Sequence, residues 1–158
     1  EAKGKGWWIP GGSLLSGETF QMAALREVSE EAGISVELKG VLRYMQLLGN
    51  GEILPLGHAR TAIVFYAEPT SLESTKNLKT LPDAESLQAA WFSLEELREM
   101  EVQKKLRYNE PVLYGEYLLN GGQITPISLI SDWIPSTPPC IEEHKHMRII
   151  DGTLTAKF

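Results

Sequence analysis

The sequence contains a single cysteine, Cys140, so the chain cannot form an internal disulfide bond. It also lacks any run of about eighteen apolar residues, the length that a membrane-spanning helix requires. No secretory signal peptide is visible at the start of the sequence. From these three absences we expect an intracellular, cytoplasmic protein with no membrane partner.

Positive charge is also scarce, because 15 lysine and arginine residues face 21 aspartate and glutamate residues, for a net charge of −6. Proteins that bind nucleic acid polymers draw most of their affinity from basic surfaces. The composition therefore argues against a nucleic acid polymer as the partner. An acidic protein can hold an acidic small molecule only when cations lie between the two.

The chain length of 158 residues suits one domain, and the 42% of hydrophobic residues can supply a core. Apolar alternation and breaker residues predict an α/β (α+β) chain in which strands and helices follow one another. The predicted strands are 7–9, 36–48, 61–67 and 89–92, and the predicted helices are 20–32, 94–106 and 111–119.

The most informative stretch is a loop followed by an acidic helix. Breaker residues make 10–17 a loop, and residues 20–32, which contain neither glycine nor proline, form the helix. Thr19 is a suitable N-cap, and Gly33 suits a left-handed helix end. Leu25, Val28 and Ala32 fall on an arc that we expect to pack on a sheet.

Carboxylates crowd the other side of the same helix. Glu30 and Glu31 lie three and four residues after Glu27, so each is a neighbour of Glu27 on one face. Arg26 precedes them and can brace a carboxylate by a bidentate pair. A solvated acidic surface would explain the acids equally simply. The glycine-rich loop before the helix favours a second explanation, a site for hard divalent cations.

Residues 12–34 match the Nudix box, Gly-x5-Glu-x7-Arg-Glu-U-x-Glu-Glu-x-Gly-U with U aliphatic, at every defined position. The chain therefore resembles the Nudix hydrolases. The resemblance implies a mixed β-sheet sandwiched between helices, with the box forming a loop–helix–loop. It also implies Mg²⁺- or Mn²⁺-dependent cleavage of a diphosphate linked to another group.

Carried over by motif position, the resemblance implies roles for individual residues. The expected metal ligands are Glu27, Glu30, Glu31 and the carbonyl of Gly12. Glu27, or a more distant glutamate, would be the general base. Arg26 would orient a carboxylate and is counted with the catalytic residues, and Glu18 would support the site.

Residues 83–92 are similar to a segment of the animal 8-oxo-dGDP phosphatase branch of the family. In Nudix proteins a glutamate six residues before a tryptophan, as Glu85 is before Trp91, often joins the metal site or acts as base. Glu85 is therefore a candidate catalytic residue, with a solvated loop acid as the alternative. The candidates for substrate contact are weaker, and they are Trp8, Tyr44 and Arg60.

The likeness is good over residues 1–120, which we assign to a Nudix domain, and we expect the one or two strands usually found before the box to be missing. Residues 121–158 are assigned to a C-terminal extension or tail. A hairpin around Asp151-Gly152 in that segment is a candidate for completing the sheet.

Three functions remain open from the sequence. The first is metal-dependent hydrolysis of nucleoside diphosphates, with 8-oxo-guanine diphosphates favoured. The second is an ADP-sugar or dinucleotide pyrophosphatase. The third is a Nudix-shaped module that binds a nucleotide without cleaving it. The oligomeric state is not indicated.

Overall fold

A computed structural model describes residues 5–51, 55–82 and 86–130, and the backbone of residues 147–150 and 153–156. Within these ranges the elements are, in chain order, α1 (Phe20–Ala32), β1 (Val36–Leu48), β2 (Ala59–Pro69), α2 (Leu94–Val102), α3 (Glu110–Leu119), β3 (Met147–Ile150) and β4 (Thr153–Ala156). The described residues include no helix long and apolar enough to cross a bilayer.

Helix α1 begins and ends where the sequence predicts. The Thr19 hydroxyl accepts a hydrogen bond from the Met22 amide, and Gly33 ends the helix with φ of +74°. Ala23 and Ala32 are buried. Leu25, however, is 41% exposed, and Val28 is half-buried, so the packing of these two residues on the sheet stays a prediction. The two buried residues of α1 are therefore both alanines.

Strands β1 and β2 form an antiparallel hairpin, from Val36 opposite Pro69 to Leu48 opposite Ala59. Two irregularities in β1 shift the register, between Leu38 and Gly40 and between Val41 and Arg43. Extra residues of this kind increase the local twist of a strand. The hairpin follows α1 after a short turn, and α1 contacts β1.

The other edge of β1 is met by a segment that follows α3. Val41 and Thr125 exchange two backbone hydrogen bonds of 2.8 and 2.9 Å. A Cβ on Gly40 would lie 2.6 Å from the Thr125 carbonyl oxygen, so glycine permits this close approach. Residues beyond 120 therefore add to the sheet at one point, although the boundary at 120 stays a prediction.

Two predicted strands are absent from the described residues. Trp7 makes only an isolated parallel bridge to Leu106, so the strand at 7–9 is wrong. The strand at 89–92 is also wrong, because residues 86–92 pair with no strand in the described structure. The Ala89 amide donates a hydrogen bond to the Lys79 carbonyl. The ladders that the structure describes are antiparallel.

Helix α2 begins with the predicted capping box, in which Ser93 and Glu96 bond each other's backbone amides. It ends at Val102 rather than at 106, because Lys104 adopts a left-handed φ of 55° and turns the chain back toward Trp7. Helix α3 packs on α2, where Gly115 leaves room for Leu94.

The buried apolar residues come from α1, β1, α2, α3 and the turn after α1: Ala23, Ala32, Ile34, Val41, Met100 and Val112. The predicted late hairpin is present, since β3 and β4 pair antiparallel around residues 151–152. They form a sheet of their own. Completion of the main sheet by this hairpin stays a prediction, as do the two domain assignments. The mixed helix and sheet class is confirmed.

Candidate functional site

Arg26 is the centre of the site. Its Nε and Nη2 bond the two oxygens of Glu18 at 2.7 and 3.0 Å. Its Nη1 bonds Glu27 Oε1 at 2.7 Å and Glu30 Oε2 at 2.9 Å, and Nη2 also donates to the Ser13 carbonyl at 3.1 Å. The sequence predicts that Arg26 braces one carboxylate, whereas in the structure it braces three.

Most of these groups are partly shielded from water. The side chains of Glu18 and Glu27 are each 13% exposed and that of Arg26 is 22% exposed. The guanidinium of Arg26, with help from the Leu15 amide, lowers the pKa of Glu18 to about 2. The hydrogen bonds that Arg26 donates to Glu18, Glu27 and Glu30 in turn raise the pKa of Arg26. The cation therefore offsets the repulsion between neighbouring carboxylates.

The glycine-rich loop lies against the same carboxylates. The Gly11 amide donates to Glu31 Oε2 at 2.8 Å. A Cβ on Gly12 would lie 2.6 Å from the Glu27 Cδ, so a larger residue at position 12 would displace that carboxylate from its present position. The loop thus brings backbone groups of residues 11 and 12 beside two side chains that are one helical turn apart.

These groups suit a hard divalent cation chemically, because carboxylate and carbonyl oxygens are the ligands that Mg²⁺ and Mn²⁺ prefer. In the described part of the chain no three His, Cys, Asp or Glu residues are arranged to hold a metal ion. Glu27 and Glu30 are turned toward Arg26, and Glu31 toward Gly11. The assignment of Glu27, Glu30, Glu31 and Gly12 as ligands stays a prediction, for which the space at Gly12 is the structural support.

The remaining candidates are placed as follows. Glu85 lies outside the described residues. Arg60 lies beside the loop, with its Nη2 3.5 Å from the Ser13 hydroxyl. Trp8 packs edge-on against Tyr108 with ring centroids 5.4 Å apart, and Tyr44 is 64% exposed on β1. Only Arg60 of these three has a described contact with a residue that Arg26 also contacts.

Three residues of this region were missed by the sequence reasoning. Ser13 contributes its carbonyl to Arg26. Lys79 Nζ donates to the Glu30 carbonyl at 2.7 Å, and Ser86 Oγ donates to the Glu31 carbonyl at 3.1 Å. Lys79 and Ser86 lie 49 and 55 residues from their partners, and no local pattern marks them.

The model of the NUDIX domain family matches residues 1–112. Over 88 residues the chain is 38% identical to the 8-oxo-dGDP phosphatase NUDT18 of Homo sapiens, which corresponds to 54% of this chain and 23% of that protein. Over 98 residues it is 34% identical to Nudix hydrolase 4 of Arabidopsis thaliana, covering 62% of this chain and 43% of that protein.

The chain thus spans less than half the length of these two relatives. A solved NUDIX hydrolase from Nitrosomonas europaea matches with a TM-score of 0.55 and 23% identity, covering 76% of this chain and 74% of that one. At this identity the match bears on the fold alone, and it confirms the fold expected from the resemblance.

Proposed function

Since the chain belongs to the Nudix family, we propose that it hydrolyses a diphosphate bond in a nucleoside diphosphate derivative, with a divalent cation as cofactor. The observation that carries the proposal is the Arg26 cluster. One guanidinium gathers Glu18, Glu27 and Glu30 beside a glycine loop, in the part of the chain that the family model matches.

The cation that we propose is Mg²⁺ or Mn²⁺, held by Glu27, Glu30, Glu31 and the Gly12 carbonyl. When bound, it neutralises phosphate charge and makes a water more acidic. The protein's part in the reaction is to position these oxygens and to remove a proton. Glu27 or Glu85 accepts the proton of the attacking water, a role that contributes about 10²–10⁴-fold to the rate. The water oxygen forms a bond to one phosphorus of the diphosphate, the bridging P–O bond to that phosphorus breaks, and a monophosphate and phosphate leave.

For the substrate we propose 8-oxo-guanine nucleoside diphosphates. The support is the 38% identity to a human protein whose name records 8-oxo-dGDP phosphatase activity, together with the similarity over residues 83–92. An ADP-sugar or dinucleotide pyrophosphatase has the same box. Its substrate would be recognised by residues elsewhere in the chain.

The test is a substrate panel of 8-oxo-dGDP, dGDP, 8-oxo-dGTP, ADP-ribose and a diadenosine polyphosphate, each with Mg²⁺, Mn²⁺ or EDTA. We expect 8-oxo-dGDP to give 8-oxo-dGMP and phosphate, and EDTA to abolish the reaction. Preference for ADP-ribose or the dinucleotide would replace the proposed substrate. Tight binding of a nucleotide without turnover would indicate a binding module.

The matched variants are Glu27→Gln and Glu99→Gln. Glu99 is an exposed glutamate of α2, so its variant controls for the loss of one negative charge. We expect Glu27→Gln to lower kcat by at least about 100-fold, because it removes a proposed ligand and base, and Glu99→Gln to match the wild type. Equal turnover by both variants would contradict the role assigned to Glu27.

A further inference from the structure

The C-terminal end of α1 is held by a segment far along the chain. Lys79 donates twice, from Nζ to the Glu30 carbonyl at 2.7 Å and from its amide to the Ala32 carbonyl at 2.9 Å. Ser86, which is 5% exposed, donates its hydroxyl to the Glu31 carbonyl at 3.1 Å. Three successive carbonyls of α1 therefore accept hydrogen bonds from residues 79 and 86.

These contacts satisfy groups that the helix itself leaves open. The last four carbonyls of an α-helix have no partner within it, and a cation near that end is favourable. Only the Ser29 carbonyl is taken by the helix's own cap, through the Gly33 amide. A Cβ on Gly33 would lie 3.1 Å from the Lys79 amide nitrogen, so the two segments are closely packed.

The turn of α1 that Lys79 and Ser86 contact also carries carboxylates of the site. Glu30 and Glu31 supply both the carbonyls that Lys79 and Ser86 bind and the side chains that face Arg26 and the glycine loop. One set of hydrogen bonds thus holds the turn of α1 that carries both carboxylates.

We propose that Lys79 and Ser86 are positioning residues, which hold the carbonyls of residues 30–32 and thereby fix the direction of the Glu30 and Glu31 side chains at the site. This inference rests on the proposed hydrolase function, which it deepens. Neither residue touches the reacting atoms in this assignment. Their effect passes through the backbone of residues 30–32.

The test compares Ser86→Ala and Lys79→Met with two control variants from the same loop. Ser74 is a similarly buried serine, and its hydroxyl donates to the Ser71 carbonyl instead of to α1. Lys76 pairs with Glu73 on the surface. Ser74→Ala and Lys76→Met therefore repeat each chemical change without touching the helix end. Ser86→Thr restores a hydroxyl and serves as the conservative variant.

We expect Ser86→Ala and Lys79→Met to lower kcat by about 10-fold or more while KM changes by less than about 3-fold, because small misplacements of catalytic groups cost rate. We expect Ser86→Thr to recover most of the loss and both controls to match the wild type. Without substrate, Mn²⁺ titration followed by electron paramagnetic resonance should show weaker binding for Lys79→Met, by about 3–10-fold.

Thermal unfolding of each variant shows whether it is folded at the assay temperature. Should Ser86→Ala be unfolded there, Lys79→Met and Ser86→Thr carry the test. Wild-type values of kcat and of Mn²⁺ affinity in folded Ser86→Ala and Lys79→Met would overturn the inference. A wild-type protein that cleaves no diphosphate would instead overturn the proposed function. The Mn²⁺ titration would still test whether Lys79 and Ser86 position the carboxylates.

Discussion

At the scale of single residues, the decisive side chain is Arg26. An isolated surface ion pair contributes about 0–1 kcal/mol. Arg26 differs from such a pair because its planar fork meets Glu18 with two nitrogens while a third nitrogen reaches Glu27 and Glu30. A lysine ammonium is a point charge and cannot occupy all of these positions at once.

Arg26→Lys should therefore lower kcat/KM by about 10–100-fold, the range found when groups that orient metal ligands are replaced. The steady-state rate on the substrate identified by the panel measures the effect. Arg98→Lys is the matched control, because Arg98 also bonds a carboxylate through two nitrogens, that of Glu116, but between α2 and α3. A wild-type rate for Arg26→Lys would mean that a positive charge at position 26 is enough to orient the carboxylates and that the planar shape of the guanidinium is not needed.

Glu18 makes the stability of the fold depend on pH. Its pKa in the folded chain is about 2, below the ordinary value of 4.5, chiefly because of the Arg26 hydrogen bonds. A carboxyl group with a depressed pKa stabilises the fold above its ordinary pKa, and this contribution is lost as pH falls through the folded-state value.

Wild type should therefore be more stable than Glu18→Gln at pH 7, and the gap should narrow between pH 4.5 and about 2. Urea unfolding of both proteins at pH 7, 5, 4 and 3 measures the gap. Because the Glu18 side chain is only partly shielded from water, added salt should also reduce the stability gap between the two proteins. A gap that stays constant down to pH 3 would show that the ion pair is not its cause.

At the scale of elements, the site depends on the contact between α1 and the loop before it. A Cβ on Gly12 would overlap the Glu27 carboxylate in its present position, whereas a Cβ on Gly11 would meet nothing within 4 Å. An alanine would therefore meet the Glu27 carboxylate at position 12 and nothing at position 11. Comparing the two substitutions separates the effect of lost backbone flexibility from the effect of lost space beside Glu27.

Gly12→Ala should displace the Glu27 carboxylate and lower kcat by at least about 10-fold, since the new methyl group would occupy its place. Gly11→Ala should leave kcat within about 3-fold of wild type, because the added methyl group is in open space. The rates of the two variants, measured at saturating Mg²⁺, test this expectation. Similar losses in both would point to loop flexibility instead of space at Gly12.

Elements with local signals could be predicted from the sequence. The bounds of α1 follow from Thr19 and Gly33, and both act within one turn of the helix end. The end of α2 could not be predicted, because it depends on the left-handed Lys104 and on the pairing of residues 105–107 with Trp7. The segment 89–92 has strand-forming residues, but in the described structure no neighbouring strand pairs with it.

The site residues also divide into those that a local sequence pattern predicts and those that depend on distant contacts. The spacing of Glu27, Glu30 and Glu31 placed them on one helix, and their closeness to Arg26 follows from helical geometry. The contacts of Lys79 and Ser86 depend on how a distant loop folds back onto α1. No residue pattern within either segment specifies that contact.

At the scale of the whole molecule, the open question is where the domain ends. The sequence suggests residue 120, but the next ten residues make described contacts with the rest of the fold. Thr125 exchanges two hydrogen bonds with Val41, and the Ile130 carbonyl accepts a bond of 3.4 Å from the Gln21 side chain. The segment therefore joins β1 to α1.

A chain that ends at residue 120 should be less stable than one that ends at residue 130. Loss of the two hydrogen bonds to Val41, at about 1 kcal/mol each, would lower Tm by roughly 5–10 °C at this chain length. Circular dichroism melting of both chains, with the full chain as reference, measures the difference. Melting of the shorter chain within about 2 °C of the longer one would support the boundary at 120, since the strand-edge contact of Thr125 would then contribute nothing to the fold. A clear difference would place the end of the domain beyond Thr125 and make the sheet-edge segment part of the structure that supports α1.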